Sequence, residues 1–210
     1  VQGAAAAIIS VSGGGEIFPN TACRLSSIKR LAKKGYHVFY ETMLVMPSNI
    51  FVATEQALSL MLLQVLPDKV SLAADDILSG RDKRTAPLLA DRLLSIMGEL
   101  EKPWARLWGR GVKPLATCDG CGWCAENCPS GNIAMRDGKP RFSAKCHLCL
   151  QCIYGCHKKA LSPMICKFFI LKQGYDLHAL LEKSPLNEAA DIKQLAAGRL
   201  WSGVKKYLLE

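Results

Sequence analysis

Eight of the ten cysteines stand in one spacing written twice: Cys118, Cys121, Cys124 and Cys128, then Cys146, Cys149, Cys152 and Cys156. Each cysteine of the first run recurs 28 residues later, so the chain carries an internal repeat of C-x2-C-x2-C-x3-C. Thiolates are soft donors, and four converging thiolates suit an iron–sulfur cubane. Three cysteines at steps of three wrap the backbone around one side of such a centre and leave its amides free to donate to sulfur. Zinc sites also use C-x2-C pairs, but they join two pairs across a longer loop and leave the third and fourth cysteine of each run without a role. Disulfides need an oxidising compartment, and the apolar stretch 1–11 has no basic flank of the kind that marks a secretory signal.

The fourth cysteine of each run falls where the chain turns into a short helix and points away from the other three. The pair of runs resembles bacterial ferredoxins with two [4Fe-4S] clusters, in which that cysteine ligates the other cluster. The resemblance implies one cluster on Cys118, Cys121, Cys124 and Cys156, and a second on Cys128, Cys146, Cys149 and Cys152. Pro129 follows the first run as the pattern expects, whereas His157 stands in its place after the second. With four thiolates already supplied per cluster, His157 is expected at the surface or beside a ligand. Residues 131–142 read as strand, Asp137-Gly138 turn and strand. Ile133 and Leu161 occupy equivalent places in the repeat and are expected to cover the clusters against water. Trp123 and Tyr154 are expected to pack and exclude solvent. Cys166, in the strand-like run 165–171, and Cys23, near a helix start, read as buried structural cysteines.

The formal charge of +9 resembles a nucleic-acid signal until the clusters are counted. Each oxidised cluster with its four thiolates brings about two negative charges, which leaves roughly +5. The lysines and arginines are scattered and do not alternate with exposed aromatics, so they read as a solvated surface rather than a nucleic-acid face, with a docking site for an acidic redox partner as the further alternative. No stretch offers 18 uninterrupted apolar residues, so no membrane span is expected.

Other segments must position this module. Residues 4–12 form an apolar run suited to a strand buried on both faces, ending in Gly13-Gly14-Gly15. Pro19-Asn20-Thr21 signals a helix start, with apolar residues at helical spacing up to Lys33-Lys34-Gly35. A second strand is expected over 36–46, closing at Met46-Pro47-Ser48-Asn49, so that strand, loop, helix and strand describe a right-handed parallel crossover. Ligands in such sheets bind at the carboxyl ends of strands. Helical stripes follow over 58–66 and 70–78, broken by Pro67, and another helix is expected over 86–100. Trp104 and Trp108, four apart, share a helix face at the passage to the cysteine module. Residues 176–183 and 188–209 read as two further helices.

Taken together, the strand leading into Gly13-Gly14-Gly15-Glu16, Pro19-Asn20-Thr21-Ala22, the strand ending in Met46-Pro47-Ser48-Asn49 and the duplicated cysteine run resemble the ferredoxin-containing flavodoxin-fold fusion proteins of anaerobic bacteria. The resemblance implies an α/β plus α+β fold class. Its parts are the carboxyl-terminal portion of a flavodoxin-like doubly wound sheet with helical extension (1–108), a 2[4Fe-4S] ferredoxin domain (109–165) and a strand with helices packing on the body (166–210). It further implies a segment ahead of Val1, FMN in the full-length protein with Gly13, Gly14 and Gly15 against the flavin ring, redox protein partners and a cytoplasmic location. The expected function is electron transfer. The alternatives are a flavin-dependent reductase fed by the clusters, and an interaction module that uses clusters only to fold.

Overall fold

The computed structural model of the chain describes residues 3–98, 101–183 and 192–210. In chain order it runs β1 (Ala5–Ser12), α1 (Leu25–Lys33), β2 (His37–Val45), α2 (Gln56–Leu78), α3 (Leu89–Gly98), α4 (Glu101–Arg110), β3 (Val112–Pro114), α5 (Trp123–Glu126), β4 (Ile133–Arg136), β5 (Lys139–Phe142), α6 (Gln151–Tyr154), β6 (Leu161–Pro163), α7 (Leu177–Lys183), α8 (Ile192–Leu195) and α9 (Ser202–Leu209). This is a mixed helical fold with small sheets, compatible with an α/β class, and its three sheets have two strands each. The chain divides into two compact units. The first comprises Val1–Ser48, Ala53–Ile96 and His178–Glu210, the second Asn49–Val52 and Met97–Leu177.

In the first unit the β-branched and aromatic run of β2 pairs in parallel with β1, from Ala5 opposite His37 to Ser12 opposite Val45. Parallel pairing requires the crossover that α1 supplies. The expectation that β1 is buried on both faces is not met: Ile9 is 48% and Val11 65% exposed. Among the described residues no further layer covers that face, and the sheet has only one partner strand on which to bury it. Helix α1 begins at Leu25, later than the start signal suggests, because the segment before it is held by side chains. The Asp91 carboxylate accepts from Thr21 N–H at 3.0 Å and from the Thr21 hydroxyl, which in turn accepts from Leu88 N–H at 3.0 Å.

The expected break at Pro67 does not occur, and α2 runs through it as one helix. Proline costs a helix one amide bond and a clash, about 3 kcal/mol, which the burial of Leu58 and Leu62 against Val45, Val204 and Tyr207 offsets. Helix α2 is long and apolar enough to cross a membrane by length and composition alone, but one such helix is weak evidence for a span. The helix expected over 188–209 is instead two, α8 and α9, with Gly198 at φ +85° between them; the residues at its expected start, 188–191, lie outside the described residues.

The second unit shows the repeat in its backbone. Helices α5 and α6 begin at equivalent positions, Trp123 and Gln151, and β4 and β6 at Ile133 and Leu161. Strand β6 pairs antiparallel with β3, and β4 with β5. The β4–β5 turn places Asp137 and Gly138 at φ +51° and +67°, the two positive values that a tight hairpin with right-handed twist needs. Trp108, Val112, Leu150, Ile153 and Leu161 form the core, with five of the cysteines packed against it. Trp108 therefore belongs to this core, while Trp104 stays 37% exposed. The strand expected at 165–171 is absent: Cys166 takes φ +53° and turns the chain into a short 3-10 helix, Lys167–Phe169.

Candidate metal centre: two cavities walled by thiols

The eight repeat cysteines separate into two groups of four, each around its own cavity. The first, about 350 Å³ of atom-free space partly continuous with solvent, is lined by Cys118, Cys121, Cys124 and Cys156. The second, about 380 Å³ by the same measure, is lined by Cys128, Cys146, Cys149 and Cys152. Each cavity thus holds three cysteines of one run and the last cysteine of the other. The hairpin walls both with a single face: Met135 and Pro140 on the first, Ile133 and Phe142 on the second. Leu161, the repeat equivalent of Ile133, lines the first. Both are 7% exposed, so the two apolar covers stand where they keep water from the sulfurs.

Backbone amides point at the thiols in a pattern that follows the repeat. Asn132 N–H donates to Cys128 Sγ and Ala160 N–H to Cys156 Sγ, each at 3.3 Å, and Leu148 N–H donates to Cys146 Sγ at 3.3 Å. Such donors favour the thiolate and compensate negative charge on sulfur. The turns that carry them take positive φ, at Gly131 before Asn132 (+58°), Lys159 before Ala160 (+46°) and Leu148 itself (+57°). Close packing allows no side chain at three glycines. A Cβ at Gly109 would lie 2.0 Å from Cys146 Cβ, one at Gly155 would lie 1.9 Å from the Trp123 ring, and one at Gly120 would lie 2.3 Å from the Gly138 carbonyl oxygen.

Three observations test which group suits these walls. The first is spacing. A tetrahedral zinc with sulfur ligands at about 2.3 Å would bring its thiolates within about 3.8 Å of one another, yet no three of the eight thiols share a sphere in which all lie within 4.8 Å of each other. The thiols of each quartet stand wider apart than a single tetrahedral ion would hold them. The second is an orphan donor: Trp108 Nε1 is buried with no hydrogen-bond partner, and the indole lines the second cavity. A buried N–H without an acceptor costs about 1–3 kcal/mol, and a group with acceptor sulfurs bound in the cavity would offer one. The third is electrostatic. Burial, then the neighbouring thiols Cys149, Cys146 and Cys128, push Cys152 up to about 12, and burial first also raises Cys124 and Cys146. Burial acts upward on Cys128 as well, but the Ser130 hydroxyl and the amides of Asn132 and Ser130 outweigh it and hold that thiol below its ordinary value. Four facing thiolates need a cationic centre to coexist, so loading would release protons. The donor set fits a four-iron cluster in each cavity.

The other residues singled out by type and spacing fall elsewhere. His157 is a surface residue, its Nε2 3.0 Å from Asp119 Oδ2 at the rim of the first cavity. Asp119, Cys121 and His157 are the exposed group whose ligand atoms lie within 4.8 Å of one another; Asp119 also accepts from Cys121 N–H at 3.2 Å, which reads as a local turn. Tyr154 packs with its hydroxyl donating to Asn49 O at 2.7 Å and accepting from Leu171 N–H at 2.9 Å. Cys23 is exposed, not buried as expected, since Ala22 and Arg24 take the inward positions on either side.

Gly13, Gly14 and Gly15 do lie at the carboxyl end of β1, but their side-chain directions are filled by the chain itself. A Cβ there would meet Ser48 at 3.1 Å, Asn20 Nδ2 at 3.0 Å and the Gly203 carbonyl oxygen at 2.6 Å respectively. Gly15 lets the chain pack closely on Gly203 at the start of α9, while Gly13 and Gly14 pack on Ser48 and Asn20.

No family model matches the chain, and neither a curated protein nor a solved structure matches it. Spacing alone missed several residues of the centre. Asn132, 3% exposed, accepts through Oδ1 from Ser143 Oγ at 3.0 Å and Lys145 N–H at 2.7 Å, tying the hairpin to the second run. The Lys139 ammonium donates to the Cys118 carbonyl. Gly109 and Trp108 arrive from α4, before the repeat begins. The one local signal was Asp119 two residues before Cys121, an Asx-turn spacing.

Proposed function

We propose that the second unit holds two [4Fe-4S] clusters and that the protein transfers single electrons. The observation that carries this reading is the exchange of fourth cysteines: Cys156 walls the cavity of the first run and Cys128 that of the second. Bound there, each cluster supplies a one-electron couple that changes oxidation state with little ligand movement. The chain then has to hold, insulate and tune. Paired cavities in one small unit keep the two centres together, and Ile133, Leu161 and Phe142 exclude water. The amides of Asn132, Leu148 and Ala160 place donors on the ligand sulfurs, and the Trp108 indole adds another at the second centre. Exposed Cys121 and Cys149 mark the edges at which a redox protein partner would approach. An electron carrier needs no acid, base or nucleophile, and the closed glycine loop lends no support to a flavin-dependent reductase.

The test is anaerobic purification followed by iron and sulfide counts and a visible spectrum. The expected result is about eight of each per chain with a broad absorption band bleached by dithionite. Four or fewer iron atoms, or zinc in place of iron, would overturn the reading.

A further inference from the structure

The largest of the cavities described here lies in the first unit, far in sequence from the thiols and unused by electron transfer. It contains about 780 Å³ of atom-free space, partly continuous with solvent, and is lined by Tyr40, Met43, Lys69, Lys83, Lys206 and Tyr207 together with Glu16, Leu72 and Glu210. Its charges do not cancel. Glu16 is held by Arg24, which is 3% exposed, and by the Thr85 hydroxyl. Lys206 faces Glu210 at 3.5 Å. Lys69 and Lys83 form no ion pair among the described residues; their ammonium groups stand 4.9 Å from the Tyr207 ring and 5.7 Å from the Tyr40 ring.

A backbone donor joins them. Amides of the second strand alternate in direction: Met46 N–H turns to the Ser12 carbonyl of β1 at 3.0 Å, whereas Glu41 N–H turns the other way, to the Lys83 carbonyl at 2.7 Å. Met43 has the parity of Glu41, so its N–H points to the same outer edge, and Met43, 4% exposed, lines the cavity. Beside it the Tyr207 hydroxyl is buried and makes no hydrogen bond of normal geometry, with the Val45 amide as its neighbour.

We propose that this cavity binds a small organic phosphate. Lys83 acts at a distance on the Glu16 and Asp76 carboxylates, which Arg24 and Arg81 already pair. The ammonium groups of Lys69 and Lys83 with the unbonded Tyr207 hydroxyl suit a dianion, for which lysine acts as a point charge. The rings of Tyr40 and Tyr207 with Leu72 offer an apolar wall to the body of the ester. A carboxylate, carrying one charge, would leave one ammonium unmatched.

The experiment titrates phenyl phosphate into the full chain, purified anaerobically, by calorimetry and phosphorus NMR, with inorganic phosphate and benzoate in parallel. Phenyl phosphate is expected to bind at least about tenfold tighter than benzoate and to weaken with added salt; tighter binding than inorganic phosphate identifies the ester as the preferred source, and equal binding assigns the site to the phosphate group alone. Lys69→Met with Lys83→Met, both away from the core, is expected to weaken binding about tenfold or more with unchanged circular dichroism, and Lys206→Met to weaken it less. No binding by the parent chain at 10 mM, on the order of the weakest affinities that carry meaning, would overturn the proposal. So would undiminished binding by the double variant, or equal binding of benzoate.

Discussion

The two halves of the cysteine module adopt one backbone with different residues. Three positions take positive φ in both: Gly120 and Leu148 at +77° and +57°, Gly122 and Leu150 at +83° and +61°, Gly131 and Lys159 at +58° and +46°. The first half meets each left-handed turn with glycine, which adopts it freely. The second meets them with side chains that resist it by about 1–2 kcal/mol each. The conformation thus follows from the shared backbone of the repeat and not from residue preference. Two of the three strained residues are compensated locally, since Leu150 is 2% exposed and Leu148 packs against the same core. Lys159 is exposed and gains nothing in return. The first half spends its conformational freedom on close approach, with Gly120 against Gly138; the second uses its turns to bury apolar surface beneath the cavities.

The largest effect follows, under the proposed function, from the exchange of fourth cysteines between the two cavities. Cys156→Ser, although it lies in the second run, is expected to remove the cluster held by Cys118, Cys121 and Cys124, and Cys128→Ser the other, each leaving about four iron atoms per chain. If either substitution removes the cluster of its own run, as spectra of the two variants would reveal, the exchange is wrong.

Next in size is an asymmetry in glycine tolerance. Gly120→Ala places a methyl 2.3 Å from a carbonyl oxygen in a left-handed residue, and is expected to destabilise the module by about 3 kcal/mol or more. Leu148→Gly at the equivalent position is expected to cost about 1 kcal/mol or less, because relief of strain offsets lost packing. Denaturant titration of the loaded proteins measures both, and equal losses would erase the distinction between the halves.

A smaller effect separates the centres themselves. Trp108, whose indole N–H is buried without a partner, lines the second cavity and not the first, and under the proposed function a donor to cluster sulfur stabilises the more negative, reduced state. Trp108→Phe should therefore make that cluster harder to reduce, by about 40 mV for a differential of about 1 kcal/mol, while the first stays unchanged. A redox titration followed by EPR resolves the two, and no shift, or a shift in both, removes the indole from the account.

The smallest is a gain. Lys159→Gly is expected to stabilise the module by about 1 kcal/mol, since nothing is lost from the core.

Much of the site was legible because its ligands lie close together in the chain. Cysteines three apart must face a common centre, and the 28-residue offset duplicates that geometry whatever surrounds it. The hairpin was legible from Asp137-Gly138 for the same reason: its conformation is decided within four residues. Less legible were outcomes that depend on what covers a segment. The apolar run of β1 suggested burial on two faces, but exposure of Ile9 and Val11 follows from having one strand beside it. Pro67 suggested a break, but packing of the flanking leucines outweighed its local cost. The glycine triplet suggested a ligand loop, and the side-chain space at its last member, Gly15, is filled by Gly203, nearly two hundred residues away in the chain.

By itself, then, the sequence determined the donor type, the two groups of three and the turn chemistry between them, because these are matters of covalent spacing and local torsion. Tertiary structure alone decided that Gly109 and Trp108 press on the second cavity and that Asn132 ties the runs together. It also decided that Lys69, Lys83, Met43 and Tyr207 line one cavity of the first unit. Contacts of that kind join residues tens of positions apart, and only the packing of the folded chain fixes which of them come within reach.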